Sequence, residues 1–323
     1  MVSFRAAPAA QAFRQADALG LARGLCGARH GRPIVAAERA GPQPEPDRVV
    51  KLALVADIHA NLEALQATLD DIALRAPDRI VCLGDIVGYN TRPAECIALL
   101  RNIDALCVAG NHDLAVCGRI RTETFSNAAT RALGWTQQRL VRDDLDFLGS
   151  LPLRATVAGR LIAVHGGLYP ETGYATVRLD SDTRRMQTLK ALVADPTGAR
   201  ICAFGHTHHA AVHEFRRGRM TSRPEQKIRL QGDAYYLVNP GTVGQPRSGD
   251  RRSSYMMLDL AQGTLELHRV GYEISAPLAA TRQAGLVPPL TLALQPAWSS
   301  MTASLRRLRQ QRPLKQLVAL LDR

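Results

Sequence analysis

Carboxylate, imidazole and carboxamide side chains punctuate the middle of this chain, each just past an apolar run. In order they are Asp57-Ile58-His59, Gly84-Asp85, Gly110-Asn111-His112-Asp113, His165-Gly166, Gly205-His206-Thr207-His208, and a closing loop, Asn239-Pro240-Gly241. Nitrogen and oxygen donors of these types bind divalent cations. Gathered at one edge of a sheet, they suit two metals with a water between them, which is the chemistry of phosphoester hydrolysis. The motifs differ in weight. Asp57-x-His59 alone is weak and is open to a turn aspartate and a surface histidine. Gly84-Asp85 is stronger, because glycine permits the sharp turn from which a carboxylate projects. Gly110-Asn111-His112-Asp113 is stronger again. It supplies a neutral carbonyl ligand, a free imidazole for acid–base work, and a carboxylate that either orients the His112 ring or caps a helix. Gly205-His206-Thr207-His208 places two imidazoles on one side of an extended segment.

For these groups to converge, the runs before them must be neighbouring strands. Residues 49–56, 79–83, 105–109, 161–164 and 201–204 read as such strands. Between them, Asn61 caps a helix with Leu62, Leu65, Leu69 and Ile72 on one face, and Pro93 opens another. Residues 122–140 read as one long helix and 181–193 as a further one, while Ala158-Gly159-Arg160 reads as a hairpin-like turn. Later, 212–215, 235–238, 254–260 and 264–270 read as successive antiparallel strands, with 218–231 a basic loop or ribbon. An early alternation of strand and helix followed by a strand-rich half points to an α/β fold, a two-sheet β-sandwich flanked by helices.

The chain has 323 residues and a net charge of +12, carried mostly by arginine; its only lysines are Lys51, Lys190, Lys227 and Lys315. Such a surface attracts nucleic acid, anionic lipid or phosphorylated substrates without choosing among them. No run approaches the ~18 apolar residues of a membrane span. Of the six cysteines, none forms a C-x-x-C pair, and Cys82, Cys107 and Cys202 lie in strand-like runs as small buried hydrophobes. A disulfide framework is not expected, and a reducing cytoplasm is the simplest location. Residues 1–47 lack periodicity and are expected to be a disordered extension. Residues 294–323 are expected to form a basic helical extension, broken at Pro313, around a domain spanning 48–293.

With these motifs in this order, the stretch from Val49 to Gly271 resembles the calcineurin-like metallophosphoesterase superfamily, most closely its compact bacterial and archaeal YfcE-like or MJ0936-like branch. Gly84-Asp85-Ile86-Val87-Gly88-Tyr89 and Asn239-Pro240-Gly241-Thr242-Val243-Gly244 carry the likeness with the ligand motifs. The resemblance implies that Asp57, His59 and His208 hold one metal, that Asn111, His165 and His206 hold a second, and that Asp85 bridges both. His112 then serves the substrate, as proton donor or phosphoryl-binding residue, with Asp113 beside it. The implied reaction is attack on phosphorus by a hydroxide between the metals. Mixed nitrogen and oxygen ligation suits Mn²⁺ first, with Fe, Ni²⁺, Co²⁺ or Zn²⁺ also admissible, rather than an all-oxygen Mg²⁺ or Ca²⁺ cage.

The expected substrate is a small phosphorylated molecule, nucleotides among the candidates. Protein phosphatase and dinucleoside polyphosphate hydrolase activities share the core, and a nucleic-acid-binding regulator acting through the basic tail is the reading from a different class. Three local departures from the family pattern stand out. Ala210 occupies a position where relatives often have proline, His209 is an additional histidine, and Asn90 follows Gly88-Tyr89 where relatives often have glycine. Arg247 is a candidate phosphate contact. His213 and His268 read as strand residues and His30 as part of the leader.

Overall fold

Alternate residues of the first strand enter different cores, and this sets the layering. The computed structural model describes residues 51–286. Its elements in chain order are β1 (Lys51–Val55), α1 (Leu62–Ala73), β2 (Arg79–Cys82), α2 (Pro93–Asn102), β3 (Leu106–Cys107), α3 (Asn111–Val116), α4 (Asn127–Gln137), α5 (Arg142–Ser150), β4 (Arg154–Val157), β5 (Leu161–Val164), α6 (Asp182–Val193), β6 (Ile201–Ala203), β7 (Ala211–Arg216), β8 (Arg219–Ser222), β9 (Lys227–Arg229), β10 (Tyr235–Asn239), β11 (Ser253–Asp259), β12 (Thr264–Val270) and α7 (Ser275–Gln283). Leu52 and Leu54 of β1 meet Ala163, Ile201, Ala203, Tyr236 and Val238 in an apolar layer between two sheets. Ala53 and Val55 face the other way, onto Leu65, Leu69 and Ile72 of α1 and Ile97 and Leu100 of α2. On the far side, Ile162, Val164, Cys202 and Leu237 pack with Leu192 of α6. The central strands β1, β5, β6 and β10 are thus covered on both faces, which is why they are apolar nearly throughout rather than alternating. Each fully buried Leu or Ile contributes about 1.5–3 kcal/mol.

The sheets have six strands each, in the orders β3-β2-β1-β11-β12-β9 and β4-β5-β6-β10-β7-β8. In the first, β1, β2 and β3 are parallel. In the second, β5, β6 and β10 are parallel. Parallel strands end at the same edge, so the loops that follow them are brought together. The two-sheet sandwich flanked by helices is the expected fold.

Three expectations about elements are corrected. The helix expected over 122–140 is shorter, spanning only Asn127–Gln137. The Ser126 side chain accepts from the Ala129 amide at 3.2 Å and starts α4 there, and α5 follows as a separate helix after extended Val141. The late strands are not one antiparallel series: β7 and β10 belong to the second sheet and β11 and β12 to the first. The basic stretch 218–231 is neither a simple loop nor a two-stranded ribbon: its strands β8 and β9 join different sheets. Elsewhere Asn61 caps α1, accepting from the Ala64 amide at 3.2 Å. Cys82, Cys107 and Cys202 are buried free thiols. The expected extensions over 1–47 and 294–323, with His30, lie outside the described residues.

Candidate metal centre

The loops after the parallel strands carry the donor side chains to one edge. Asp57 and His59 follow β1, Asp85 follows β2, Asn111 and His112 open α3 just beyond β3, His165 follows β5, and His206 and His208 follow β6. The chain reverses sharply at this edge. Asp57, His59, Asp85, His206 and His208 all have positive φ, between 50° and 63°. Left-handed backbone at residues other than glycine costs about 1–2 kcal/mol each and clusters where surrounding structure enforces it. Two glycines make that enforcement possible. A Cβ on Gly110 would lie 2.1 Å from Asp85 Oδ1, and one on Gly84 would lie 2.5 Å from the Gly110 amide nitrogen. The β2 and β3 loops therefore touch backbone to backbone and hold Asp85 between them.

Seven expected ligands converge into two clusters that share Asp85. On one side, His208 Nε2 lies 3.4 Å from Asp57 Oδ1 and 3.2 Å from His59 Nε2, while His59 Nε2 is 3.6 Å from Asp85 Oδ2. On the other, His165 Nε2 lies 3.3 Å from the same Asp85 oxygen, 3.1 Å from Asn111 Oδ1 and 3.2 Å from His206 Nδ1. Asp57, His59, His165 and Asp85 are essentially inaccessible.

Backbone carbonyls fix the imidazoles. His59 Nδ1 reaches Val87 O at 3.1 Å, His165 Nδ1 reaches Leu83 O at 2.7 Å, and His208 Nδ1 reaches Gln245 O at 2.8 Å. A carbonyl only accepts, so each of these nitrogens carries a proton and each ring turns its Nε2 inward, as a bare lone pair wherever the ring is neutral. Metal-binding histidines are commonly oriented this way. Two facing lone pairs, as at His59 and His208, repel unless a proton or cation lies between them. Asp57 Oδ2 is also buried with no hydrogen-bond partner. Among the described residues, groups able to hold a cation are Asp57-His59-His208, His59-Asp85-His112 and Asp85-His165-His206. The donor set thus fits two cations sharing Asp85.

Burial pushes His59 and His208 well below the usual imidazole range and His206 down to about 3, which keeps them neutral ligands. Burial works to raise Asp85, but His165 and His112 outweigh it and hold the carboxylate well below its ordinary value. Burial would lower His165, yet Asp85 raises it to about 9, so a proton there offsets the carboxylate's charge. Burial lifts Asp57 to about 7.

His112 stands beside the cluster, its ring 4.7 Å from those of His59 and Tyr89 and 5.2 Å from that of Phe125. Its Nδ1 is buried without a partner. Asp113 does not orient this ring. Its carboxylate accepts from the amides of Ile86, Val87 and Gly110 at 2.9, 3.2 and 2.9 Å. Of its two open roles it performs the capping one, tying the β2 loop to the start of α3. Asn239 also supports rather than ligates: its side-chain amide donates to Gly205 O at 2.8 Å and to Thr207 Oγ1 at 3.0 Å.

His209 is exposed and joins no cluster among the described residues. His213 lies in β7, and His268 lies in β12 stacked on Tyr255. Tyr89, rather than Asn90, takes the left-handed position after Gly88. Asn90 is buried and donates to His59 O at 2.8 Å. A cleft of about 400 Å³ opens above the cluster, with Arg178, Arg247, Tyr89, Phe125, Ser126 and Thr176 among its walls. Sequence reasoning found Arg247 but missed Arg178 and Phe125, since both sit in irregular segments with no ligand-like spacing.

The calcineurin-like phosphoesterase superfamily domain matches residues 50–263 of this chain. An uncharacterized protein of Methanocaldococcus jannaschii, MJ0912, is 34% identical over 230 residues, covering 69% of this chain and 88% of that protein. Among solved structures, a metallophosphoesterase from Sphaerobacter thermophilus is 32% identical with a TM-score of 0.63, over 76% of this chain and 98% of that one. The hypothetical protein PH1004 from Pyrococcus horikoshii, at 15% identity and a TM-score of 0.61, covers 76% of this chain and 97% of its own; that likeness shows the fold alone. Among the described residues no helix is long and apolar enough to cross a membrane.

Proposed function

Because the chain belongs to the calcineurin-like phosphoesterase superfamily, we propose that the clusters around Asp85 form the dinuclear centre of a phosphodiesterase or phosphomonoesterase. The observation that carries this reading is the sharing of one buried carboxylate between two sets of inward-facing acceptor atoms. Asp57, His59 and His208 would hold one divalent cation, Asn111, His165 and His206 the other, and Asp85 both. Bound there, the cations supply positive charge for the phosphoryl oxygens and acidify water for attack on phosphorus. Mn²⁺ is the cation we favour, with Fe, Ni²⁺, Co²⁺ and Zn²⁺ compatible with the same donors.

The remaining work falls to this chain's own residues. His112 lines the cleft beside the cluster, and we assign it to the substrate rather than to a metal. Its neutral ring can give one N–H to a phosphoryl or leaving-group oxygen. Arg178 and Arg247 add fixed positive charge along the walls, where guanidinium groups suit phosphate oxygens. Asp113 acts at one remove, fixing the backbone that carries Asp85 and His112. A cleft of about 400 Å³ fits a small phosphorylated substrate, a nucleotide among them. We place the domain over residues 48–293 and the protein in the cytoplasm, a reading that its free buried thiols support.

A panel tests this reading. Purified protein with Mn²⁺, Ni²⁺, Zn²⁺ or a chelator is assayed against a diester, a monoester, cyclic nucleotides, dinucleoside polyphosphates and a phosphopeptide. The expected result is turnover of a small ester that requires added metal and vanishes with chelator. Turnover unaffected by chelator would remove the metal centre from the reaction, and turnover of the phosphopeptide alone would replace the small-molecule reading with a protein phosphatase.

A further inference from the structure

At the edge opposite the metal cluster, a separate cavity of about 350 Å³ opens where the two sheets meet. Strands β5, β6 and β10 run in parallel from this cavity toward the donor edge, so the two sites lie at opposite ends of the same strands. The floor is apolar. Ile201, Ala234, Tyr236 and Leu260 line it, and all four belong to the layer between the sheets. The Tyr236 hydroxyl is already engaged, accepting from the Gln231 amide at 2.7 Å and lying 3.2 Å from Glu214 Oε2. It is therefore not the polar group awaiting a ligand.

The rim is cationic. Register pairs Leu161 with Ile201, so Arg160 and Arg200 occupy neighbouring positions at the entry of adjacent parallel strands. Both line the cavity, and no aspartate or glutamate does. The Arg200 guanidinium lies 5.1 Å above the Tyr235 ring, and among the described residues neither arginine has a carboxylate partner. Both arginines are exposed, one in the turn before β5 and one just before β6, so water screens their mutual repulsion. Left without an acidic residue beside them, they match an anion from outside, and guanidinium forks bind phosphate, sulfonate and carboxylate groups well.

We propose that this cavity binds a small amphiphilic anion, a ring or short apolar chain lying against Tyr236 and Leu260 with its one anionic group held between Arg160 and Arg200. The volume is near the lower end of small-molecule pockets, about 300–1,000 Å³, and accommodates one such molecule rather than a folded peptide. This inference does not depend on the metal centre, because none of its residues is shared with the donor edge.

The test is a fluorescence titration of the full-length protein with anilinonaphthalene sulfonate, an aromatic ring system bearing one anionic group. Saturable binding of one dye per chain is expected. Arg160→Glu and Arg200→Glu should each weaken it at least ~10-fold, the change expected when one charge-assisted contact is reversed. Phenylnaphthylamine, the same ring system without the sulfonate, should bind at least ~10-fold more weakly than the sulfonate for the same reason. Gly232 lines the cavity, and a Cβ there would meet nothing within 4 Å, so Gly232→Trp should block the site while melting at the wild-type temperature. Phe125→Ala, in the cleft over the metal centre, should leave dye affinity unchanged. The proposal is overturned if no saturable binding occurs, if the uncharged ring system binds equally well, or if affinity falls with Phe125→Ala and not with either arginine reversal.

Discussion

Changing Asp85 to asparagine is expected to strip the centre of at least one of its two ions and to lower phosphoester hydrolysis by ~10²–10³-fold or more, the scale of losing one transition-state charge partner. Asparagine is the informative replacement because it preserves the local fold. Position 85 has φ 54°, and asparagine tolerates that conformation better than alanine. Its side-chain oxygen can still accept from the His112 amide, as Asp85 Oδ1 does at 2.9 Å. What disappears is the negative charge that lies 3.6 Å from His59 Nε2 and 3.3 Å from His165 Nε2. Two cations repel each other, and the shared carboxylate offsets that repulsion. Elemental analysis and turnover should therefore fall together. A variant that retained both ions and full activity would show that the sharing of Asp85 has no chemical role.

Replacing His112 by alanine should have a different signature. Metal content should stay at the wild-type level, because neither expected ligand set includes this residue. The rate should drop by ~10²–10⁴-fold, the usual contribution of a positioned acid–base or hydrogen-bonding group. Burial pushes the His112 ring down to about 4. A lowered imidazole value means that the ring is protonated only below that pH and carries a single N–H at neutrality. Hydrogen bonding to the phosphoryl group is thus favoured over delivery of a full proton. His112→Gln, which keeps an N–H donor, should recover part of the loss near neutral pH. Recovery by glutamine equal to that of alanine, with activity rising below pH 5, would instead assign proton transfer to this histidine.

The donor residues were legible because each follows an apolar strand, and parallel strands end at one edge. That reasoning needs only the positions of Asp57, Asp85, Asn111, His165 and His206 relative to their runs. The layering was legible for a related reason: strands buried on both faces lose their alternation, as 161–164 does. Strand partners were not legible, since β10 and β11 are similar apolar runs and only nonlocal packing assigns them to different sheets. The break before α4 depends on one serine hydroxyl capping an amide, a signal easily overridden by the helical pattern around it.

The left-handed backbone at His59, Asp85 and His208 had no signal of its own. Sequence marks such positions mainly through glycine, and of these three only Asp85 has a glycine beside it, Gly84, which with Gly110 admits the turn by close backbone contact. The carbonyls that fix each imidazole belong to Leu83, Val87 and Gln245. Any residue type could supply those oxygens, so no pattern reveals them. Asp113 illustrates the same limit from the other side. Its place beside His112 left an orienting role and a helix cap equally open, and only the three backbone amides that claim it decide for the cap.

Counting the metal in folded wild-type protein tests the central claim most directly. The seven converging side chains predict two divalent ions per chain, removed by chelator in step with hydrolysis and restored with it on reloading. Well-folded protein that takes up no more than one ion while hydrolysing its substrate at full rate would contradict the account.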